Sequence, residues 1–165
     1  MSIWAARVLA HRAKAAYDNL PLPAPVVAAM VLDRLLARLR PLPLSVPRSL
    51  HRAAGAALVC AGVGLNAWAL AERRRRSAGP FALEHPEELV TTGPYALTRH
   101  PMYVGWWLIE LGAGTMSGSA WVFLTLPAQL LLEHRFVVAE EETLARQFPQ
   151  TYPGYAEKVP RYIGL

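Results

Sequence analysis

Two long segments without a charged side chain constrain the fold of this chain more than any other feature. Segments 53–71 and 111–132 contain no Asp, Glu, Lys or Arg, and a membrane-spanning helix needs about 20 predominantly apolar residues. A chain of 165 residues has the size of one domain and too little interior to bury two such helices. The sequence therefore predicts an integral membrane protein rather than a soluble helical bundle.

The net charge of +5 comes mainly from arginines, several of which are clustered. An unbroken run of arginines occupies 73–76, close behind the first uncharged segment. The positive-inside rule places such a run in the cytoplasm, beside anionic lipid head groups. Nucleic-acid binding is the other interpretation of a basic chain, but no aromatic-rich basic strand pattern accompanies the arginines. We expect membrane lipids, and not nucleic acid, as partners.

The cysteine and histidine content argues against disulfides and metal sites. The single cysteine, Cys60, lies inside the first uncharged segment, so the chain has neither an intramolecular disulfide nor a cysteine-based metal site. The five histidines show no metal-ligand spacing, and we expect no metal. Arg7, His11 and Lys14 interrupt any apolar core near the start, which argues against a cleaved signal peptide.

The chain is predicted to be a single domain, 1–165, whose first 48 residues form two helices. Segment 2–20 has a basic side and an alanine-rich side, which is typical of a helix lying on a membrane surface or of a solvated helix. Prolines end it, and a second helix is predicted from about 25 to 40 before further prolines. The charges in its second half leave two interpretations, a short or tilted span with arginines reaching the interface, or an interfacial helix.

The rest of the chain predicts a transmembrane helix followed by a helical hairpin. The helix covers 49–72, where Gly55, Gly62 and Gly64 are expected to let neighbouring helices approach closely. After a polar loop, a helix from about 100 to 116, a tight turn at 117–119 and a return helix to about 147 form the hairpin. The tail, 148–165, is expected to lie at the head-group level. The fold class is an all-α membrane protein with three to four transmembrane helices.

Polar residues gather at the open end of this hairpin. Because its arms are antiparallel, Arg99, His100 and Tyr103 at the start of the first arm should meet Glu140 and Glu141 at the end of the second. A helix N-terminus with an arginine suits a carboxylate, acids suit an amine or ribose hydroxyls, and aromatic rings suit a positive centre. S-adenosylmethionine carries all three groups, so a cytosolic cofactor pocket is predicted here.

Each of these residues also has a structural interpretation. The run Glu140–Glu142 is either part of the pocket or a solvated helix end that pairs with Arg135 and Arg146. Glu110 lies midway along a predicted span, where an ionisable group is by default a functional candidate. It is alternatively neutral and bonded to Asn66 or Thr115.

Three motifs resemble a known family. They are GPYALTRHPMYVG at 93–105, EEETLARQF at 140–148 and YPGYAEKVPR at 152–161. The chain resembles the isoprenylcysteine carboxyl methyltransferases and related phospholipid N-methyltransferases, whose pattern reads GxYxxxRHPxYxG followed by EExxLxxxFGxxYxxYxxxVPR. The similarity covers residues 89–162, which it identifies as a cofactor-binding hairpin and tail.

The resemblance implies S-adenosylmethionine at the cytosolic side of the hairpin and a lipid or prenyl-type substrate entering from the bilayer. It implies these cofactor-binding residues: Gly93, Tyr95, His100, Pro101, Met102, Tyr103, Glu140 and Glu141. Two departures stand out, namely Pro149 in place of a glycine and Phe136 in place of an arginine that the prenylcysteine enzymes associate with the substrate carboxylate. The second departure argues against that particular substrate.

The predicted reaction is therefore an in-line methyl transfer, which mainly requires alignment in a water-poor site. The catalytic candidates for a carboxylate acceptor are the cations Arg99, Arg135 and Arg161. The candidates for a base that serves an amine acceptor are Glu141, Glu110 and His100. Carboxyl methylation and phospholipid amine methylation both stay open. The HPxY segment also resembles NADPH-dependent membrane sterol reductases, and a non-catalytic scaffold is a third alternative.

Overall fold

The computed structural model describes residues 23–76 and 88–164. The helix predicted at 2–20 lies outside these residues. The described ranges contain five α-helices, one short 3-10 helix and no strand, which confirms the all-α class.

The first helix, α1, covers Ala24–Leu39. It begins directly after Pro23, with a proline in its first turn where the missing N–H is not needed. It ends before Pro41 and Pro43, whose fixed φ angles favour an extended connection. These bounds agree with the prediction of a helix at 25–40.

Helices α2, Arg48–Arg76, and α3, Pro101–Ser117, pack backbone against backbone. A Cβ atom added to Gly62 would lie 2.4 Å from the Gly105 carbonyl oxygen, and one added to Gly112 would lie 2.6 Å from the Gly55 oxygen. These contacts confirm the expected role of Gly55 and Gly62. The same expectation is wrong for Gly64, because a Cβ there would meet nothing within 4 Å.

The hairpin closes at Gly118, which has a φ of 75° and caps α3 in the left-handed conformation that favours glycine. Helix α4, Val122–Gln147, returns from this turn. The connection between α1 and α2 binds to the turn. The Leu44 N–H donates to Gly118 O, and the Trp121 indole N–H donates to Arg40 O at 2.7 Å.

A short final helix, α5, covers Tyr152–Lys158. The sequence predicted no helix in this tail, which contains Pro153 and Gly154. Pro153 lies in the first turn, where proline is tolerated.

Helices α2 and α4 are long and apolar enough to cross a membrane, and only 17% and 22% of their most apolar windows is buried. Large side chains such as Leu131, Leu132 and Phe136 point outward from α4. In contrast, Glu110 and Glu133 are each 1% exposed. Outward apolar and inward polar side chains are what a bilayer environment requires.

Candidate functional site

The loop that enters α3 is fastened to the C-terminal end of α2. Gly93 begins the 3-10 helix Gly93–Ala96 with a φ of 62°, and a Cβ atom there would lie only 3.0 Å from Glu72 Cγ. The Thr92 hydroxyl donates a hydrogen bond to Glu72. Gly93 therefore acts through the backbone, by letting the loop lie against α2.

The tail is fastened to the same loop from the other side. The Arg99 N–H donates to Pro160 O at 3.0 Å, and the Thr98 hydroxyl donates to Arg161 O at 2.7 Å. The Tyr155 hydroxyl donates to Tyr95 O at 2.8 Å. Burial raises the pKa of Tyr155 and raises that of Tyr95 to about 12, so both phenols are neutral. The tail thus covers the open end of the hairpin.

Glu141 is the centre of the charged network at this end. Its carboxylate accepts two hydrogen bonds from the Arg161 guanidinium, at 3.0 and 2.7 Å, and one from His100 Nε2 at 3.1 Å. Arg99 Nε forms an ion pair with the same carboxylate at 3.3 Å. The hydrogen bond to Glu141 is the main cause that raises the pKa of Arg161. One carboxylate therefore joins α3, α4 and the tail.

The three consecutive acids of α4 have different surroundings. Glu142 is exposed and forms an ion pair with Arg146 at 3.9 Å, which is the structural interpretation predicted for the acidic run. Glu141 is 7% exposed and fully engaged. The side chain of Glu140 is 45% exposed, and its Oε2 lies 3.9 Å from His100 Nδ1. Of the two acids that face His100, Glu140 and Glu141, Glu140 has the carboxylate that is more accessible to a ligand.

Aromatic rings line up beside these acids. The ring centroids are 5.7 Å apart for His100 and Tyr103, 6.4 Å for Tyr103 and Trp107, and 5.1 Å for Trp107 and Tyr162. The Trp107 indole N–H donates to Glu133 at 2.6 Å. Carboxylates next to aromatic rings suit a cationic ligand.

For two members of this site, both in the tail, the sequence predicted no contact partner. Arg161 supplies the bidentate partner of Glu141, and Tyr162 closes the aromatic row. The sequence does indicate that Arg161 matters, because it ends the VPR segment of the family pattern. That pattern does not indicate which residue Arg161 contacts. Only the folded tail brings these residues to α3 and α4.

The structure brings together most of the residues that the sequence singled out. Arg99, His100 and Glu141 are in direct contact, and Tyr103 and Glu140 adjoin His100. Pro101 is fully buried in the first turn of α3, and Met102 follows it half-buried.

Glu110 lies elsewhere, about 15 Å along α3 from His100 by helix geometry. Neither of its oxygens has a hydrogen-bond partner, and the Asn66 amide and the Thr115 hydroxyl also lack one. The bonds to Asn66 or Thr115 that the sequence suggested as an alternative are therefore not formed.

Comparisons with known proteins show the family of this chain. A family model described as phospholipid methyltransferase matches residues 50–151. The chain is 30% identical over 122 residues to the protein-S-isoprenylcysteine O-methyltransferase of Schizosaccharomyces pombe, which covers 71% of this chain and 51% of that protein. No solved structure matches the chain.

Two further relatives have names that refer to metal resistance. The chain is 37% identical over 77 residues to the nickel-cobalt-cadmium resistance protein NccN of Alcaligenes xylosoxydans xylosoxydans, covering 46% of this chain and 36% of that protein. It is 40% identical over 76 residues to the cobalt-zinc-cadmium resistance protein CzcN of Cupriavidus metallidurans, covering 46% and 35%. The chain thus spans between about a third and a half of the length of these curated relatives. Within 23–76 and 88–164, no three His, Cys, Asp or Glu side chains are grouped so as to hold a metal ion.

Proposed function

We propose a function on the premise that this chain belongs to the phospholipid methyltransferase family, as its motifs predicted. The function is transfer of a methyl group from S-adenosylmethionine to a lipophilic acceptor at a membrane surface. Family membership favours methyl transfer over the NADPH-dependent reduction that the sequence had left open. We place the site on the cytoplasmic side, because Arg73–Arg76 lie at the same end of α2 as the site loop.

The observation that carries the proposal is the open carboxylate of Glu140 beside a row of aromatic rings at the start of α3. S-adenosylmethionine supplies a sulfonium-bound methyl group and carries an amine and a carboxylate. The rings of Tyr103 and Trp107 suit the positive centre, and Glu140 suits the amine or ribose hydroxyls. The first N–H groups of α3 have no partner within the helix and suit the carboxylate.

The role of the charged network is to orient the residues of the site, and not to give or take a proton during the reaction. All contacts of Glu141 are with cationic or N–H groups, so its carboxylate is held ionised and its lone pairs are occupied. The same contacts orient His100 through Nε2 and leave Nδ1 facing Glu140. We therefore assign Glu141 and Arg99 to positioning, and Glu140, His100 and Tyr103 to ligand contact.

The acceptor carries either a carboxylate or an amine. A carboxylate is already nucleophilic, and the similar Schizosaccharomyces protein is named as an O-methyltransferase. An amine must lose a proton first, and the family model is described by phospholipid methylation. Glu110 is the buried carboxylate nearest the middle of the hairpin and could accept that proton from an acceptor inserted from the bilayer.

Binding of the cofactor is tested by calorimetry on the full chain purified in detergent. Wild type should bind S-adenosylmethionine and not NADPH, and Glu140→Gln should weaken binding. Glu142→Gln is a matched control, because it removes the same charge one residue away without touching the site. The proposal fails if wild type binds no S-adenosylmethionine, or if the two variants behave alike.

The acceptor is identified with methyl-labelled S-adenosylmethionine and membranes that contain the protein. Labelled lipid should appear with wild type and be reduced with Glu140→Gln. A methyl ester releases its label as methanol in mild alkali, whereas an N-methyl amine retains it. If the protein binds S-adenosylmethionine but no label appears as a methyl ester or as an N-methyl amine, lipid methylation is refuted. The proposal of a cofactor site would still hold.

A further inference from the structure

The opposite end of the hairpin carries a second group of cationic residues, about 25 Å away by the length of the 17-residue helix α3. A cavity of about 450 Å³ opens there beside the turn at Gly118. Arg34 from α1 and Arg48, His51 and Arg52 from α2 line it. Such a volume lies within the range of small-molecule sites, roughly 300–1,000 Å³.

The wall of this cavity is fixed by backbone contacts. His51 Nδ1 donates to Thr115 O at 3.1 Å, and its ring lies against Gly118, where a Cβ atom would come within 3.1 Å of Cε1. The loop between α1 and α2 is bonded to the same turn through Leu44. The arginines therefore project from a preformed wall rather than from a loose segment.

An apolar groove adjoins the cationic cavity. A second cavity of about 390 Å³ lies between α1 and the junction of α3 and α4, and it shares Arg34 and Ser117 with the first. Val27, Val31 and Leu35 line it at successive turns of α1, and each is close to half exposed. A head-group-sized cationic cavity therefore continues into a groove that suits a hydrocarbon chain.

The charges at this end are unbalanced. Four arginines line the two cavities, Arg34, Arg38, Arg48 and Arg52, against one acid, Asp33. Asp33 is 6% exposed and accepts a hydrogen bond from the Thr125 hydroxyl at 2.6 Å, so it lies beneath the groove instead of neutralising its mouth. Among the described residues, none of the four arginines forms an ion pair.

We propose that this end binds an anionic phospholipid, with its phosphate among Arg34, Arg48 and Arg52 and an acyl chain along α1. Guanidinium groups bind phosphate oxygens well. The adjoining apolar groove selects a lipid over a free phosphate, because a soluble anion would leave that surface uncovered. The positive-inside rule predicts few arginines at the end opposite the proposed cytoplasmic site. A bound anionic lipid would account for the arginines that lie there.

The test measures retention of radiolabelled phosphatidylglycerol and phosphatidylcholine with identical acyl chains on the full chain in detergent. Wild type should retain phosphatidylglycerol preferentially, and glycerol phosphate should compete poorly. Arg48→Gln with Arg52→Gln should weaken that retention on the order of thirtyfold, given the usual contribution of each basic residue near anionic lipid. Arg146→Gln with Lys158→Gln, which removes the same charge from exposed positions at the other end, should leave it unchanged.

Several outcomes would overturn the proposal. Equal retention of the two lipids shows no anionic site, and an unchanged preference in the Arg48 and Arg52 variant places the site elsewhere. Competition by glycerol phosphate as strong as by the lipid shows a soluble anion site instead. If the double variant does not fold, Arg52→Gln and Arg52→Lys replace it, and only the lysine variant should retain the preference.

Discussion

Glu141→Ala should destabilise the site end of this protein more than any other single replacement there. The change removes the acceptor of two hydrogen bonds from Arg161 and one from His100, and the ion-pair partner of Arg99. Breaking a buried ion pair by removing one partner costs about 3–5 kcal/mol. Because the Arg161 side chain is 31% exposed, water compensates in part, and we expect a loss of about 2–3 kcal/mol in the free energy of unfolding.

Two further variants should destabilise the protein less than Glu141→Ala does. Arg161→Ala leaves Glu141 with His100 and Arg99, and the tail keeps its backbone contact at Pro160, so we expect about 1–2 kcal/mol. Glu142→Ala removes only an exposed ion pair, which Glu142 forms with Arg146 one helical turn away. That pair should be worth about 0.3–0.5 kcal/mol.

Thermal unfolding in detergent, followed by circular dichroism, measures the three variants against wild type. At roughly 2–4 °C per kcal/mol for a chain of this size, Glu141→Ala should lower the Tm by roughly 4–12 °C, Arg161→Ala by less, and Glu142→Ala barely. Limited proteolysis should cut near Lys158 first in the Glu141 variant. Equal melting of the Glu141 and Glu142 variants, or a larger effect of Arg161→Ala, would refute the reasoning.

The remaining predictions use the same unfolding assay. Gly62→Ala should lower the free energy of unfolding by about 1–3 kcal/mol, because its Cβ would overlap the Gly105 carbonyl. Gly64→Ala should be neutral or stabilising by up to about 1 kcal/mol. Equal effects of the two variants would contradict the packing of α2 against α3. Tyr155→Phe should cost about 1 kcal/mol through the lost bond to Tyr95 O. Since burial raises the pKa of Tyr155, its contribution is complete below the ordinary pKa of about 10 and is lost as the pH rises towards the folded value, so wild type should lose more stability in alkali than Tyr155→Phe does.

Helix positions were largely predictable because prolines and uncharged segments determine them. The prolines around 41 and 101 lie where α1 ends and α3 begins. The antiparallel hairpin then brings His100 to Glu141 without further information. The failed expectation at Gly64 was avoidable: two residues of an α-helix differ by about 200°, so Gly64 cannot share the face of Gly62.

Other parts of the site could not be predicted, since they depend on tertiary contacts. Three consecutive acids point in three directions, and only the packing of α4 decides that Glu141 faces inward while Glu142 faces out. Arg161 reaches Glu141 across 20 residues of chain. Helix α5 forms despite Pro153 and Gly154, because Tyr155 has a buried bonding partner on the site loop.

The forces that hold this site together differ from those of a soluble enzyme. Side chains such as Leu131 and Phe136 gain little by leaving lipid, so burial of apolar surface contributes little to helix association within the bilayer. Close backbone contact at Gly62 and Gly105 and polar contacts at the hairpin end supply that association instead. Glu141 therefore serves both purposes at once, stabilising the packing of three segments and orienting His100 towards Glu140. It follows that weaker cofactor binding in a Glu141 variant should accompany lower stability, whereas in Glu140→Gln the binding should weaken while the Tm stays unchanged.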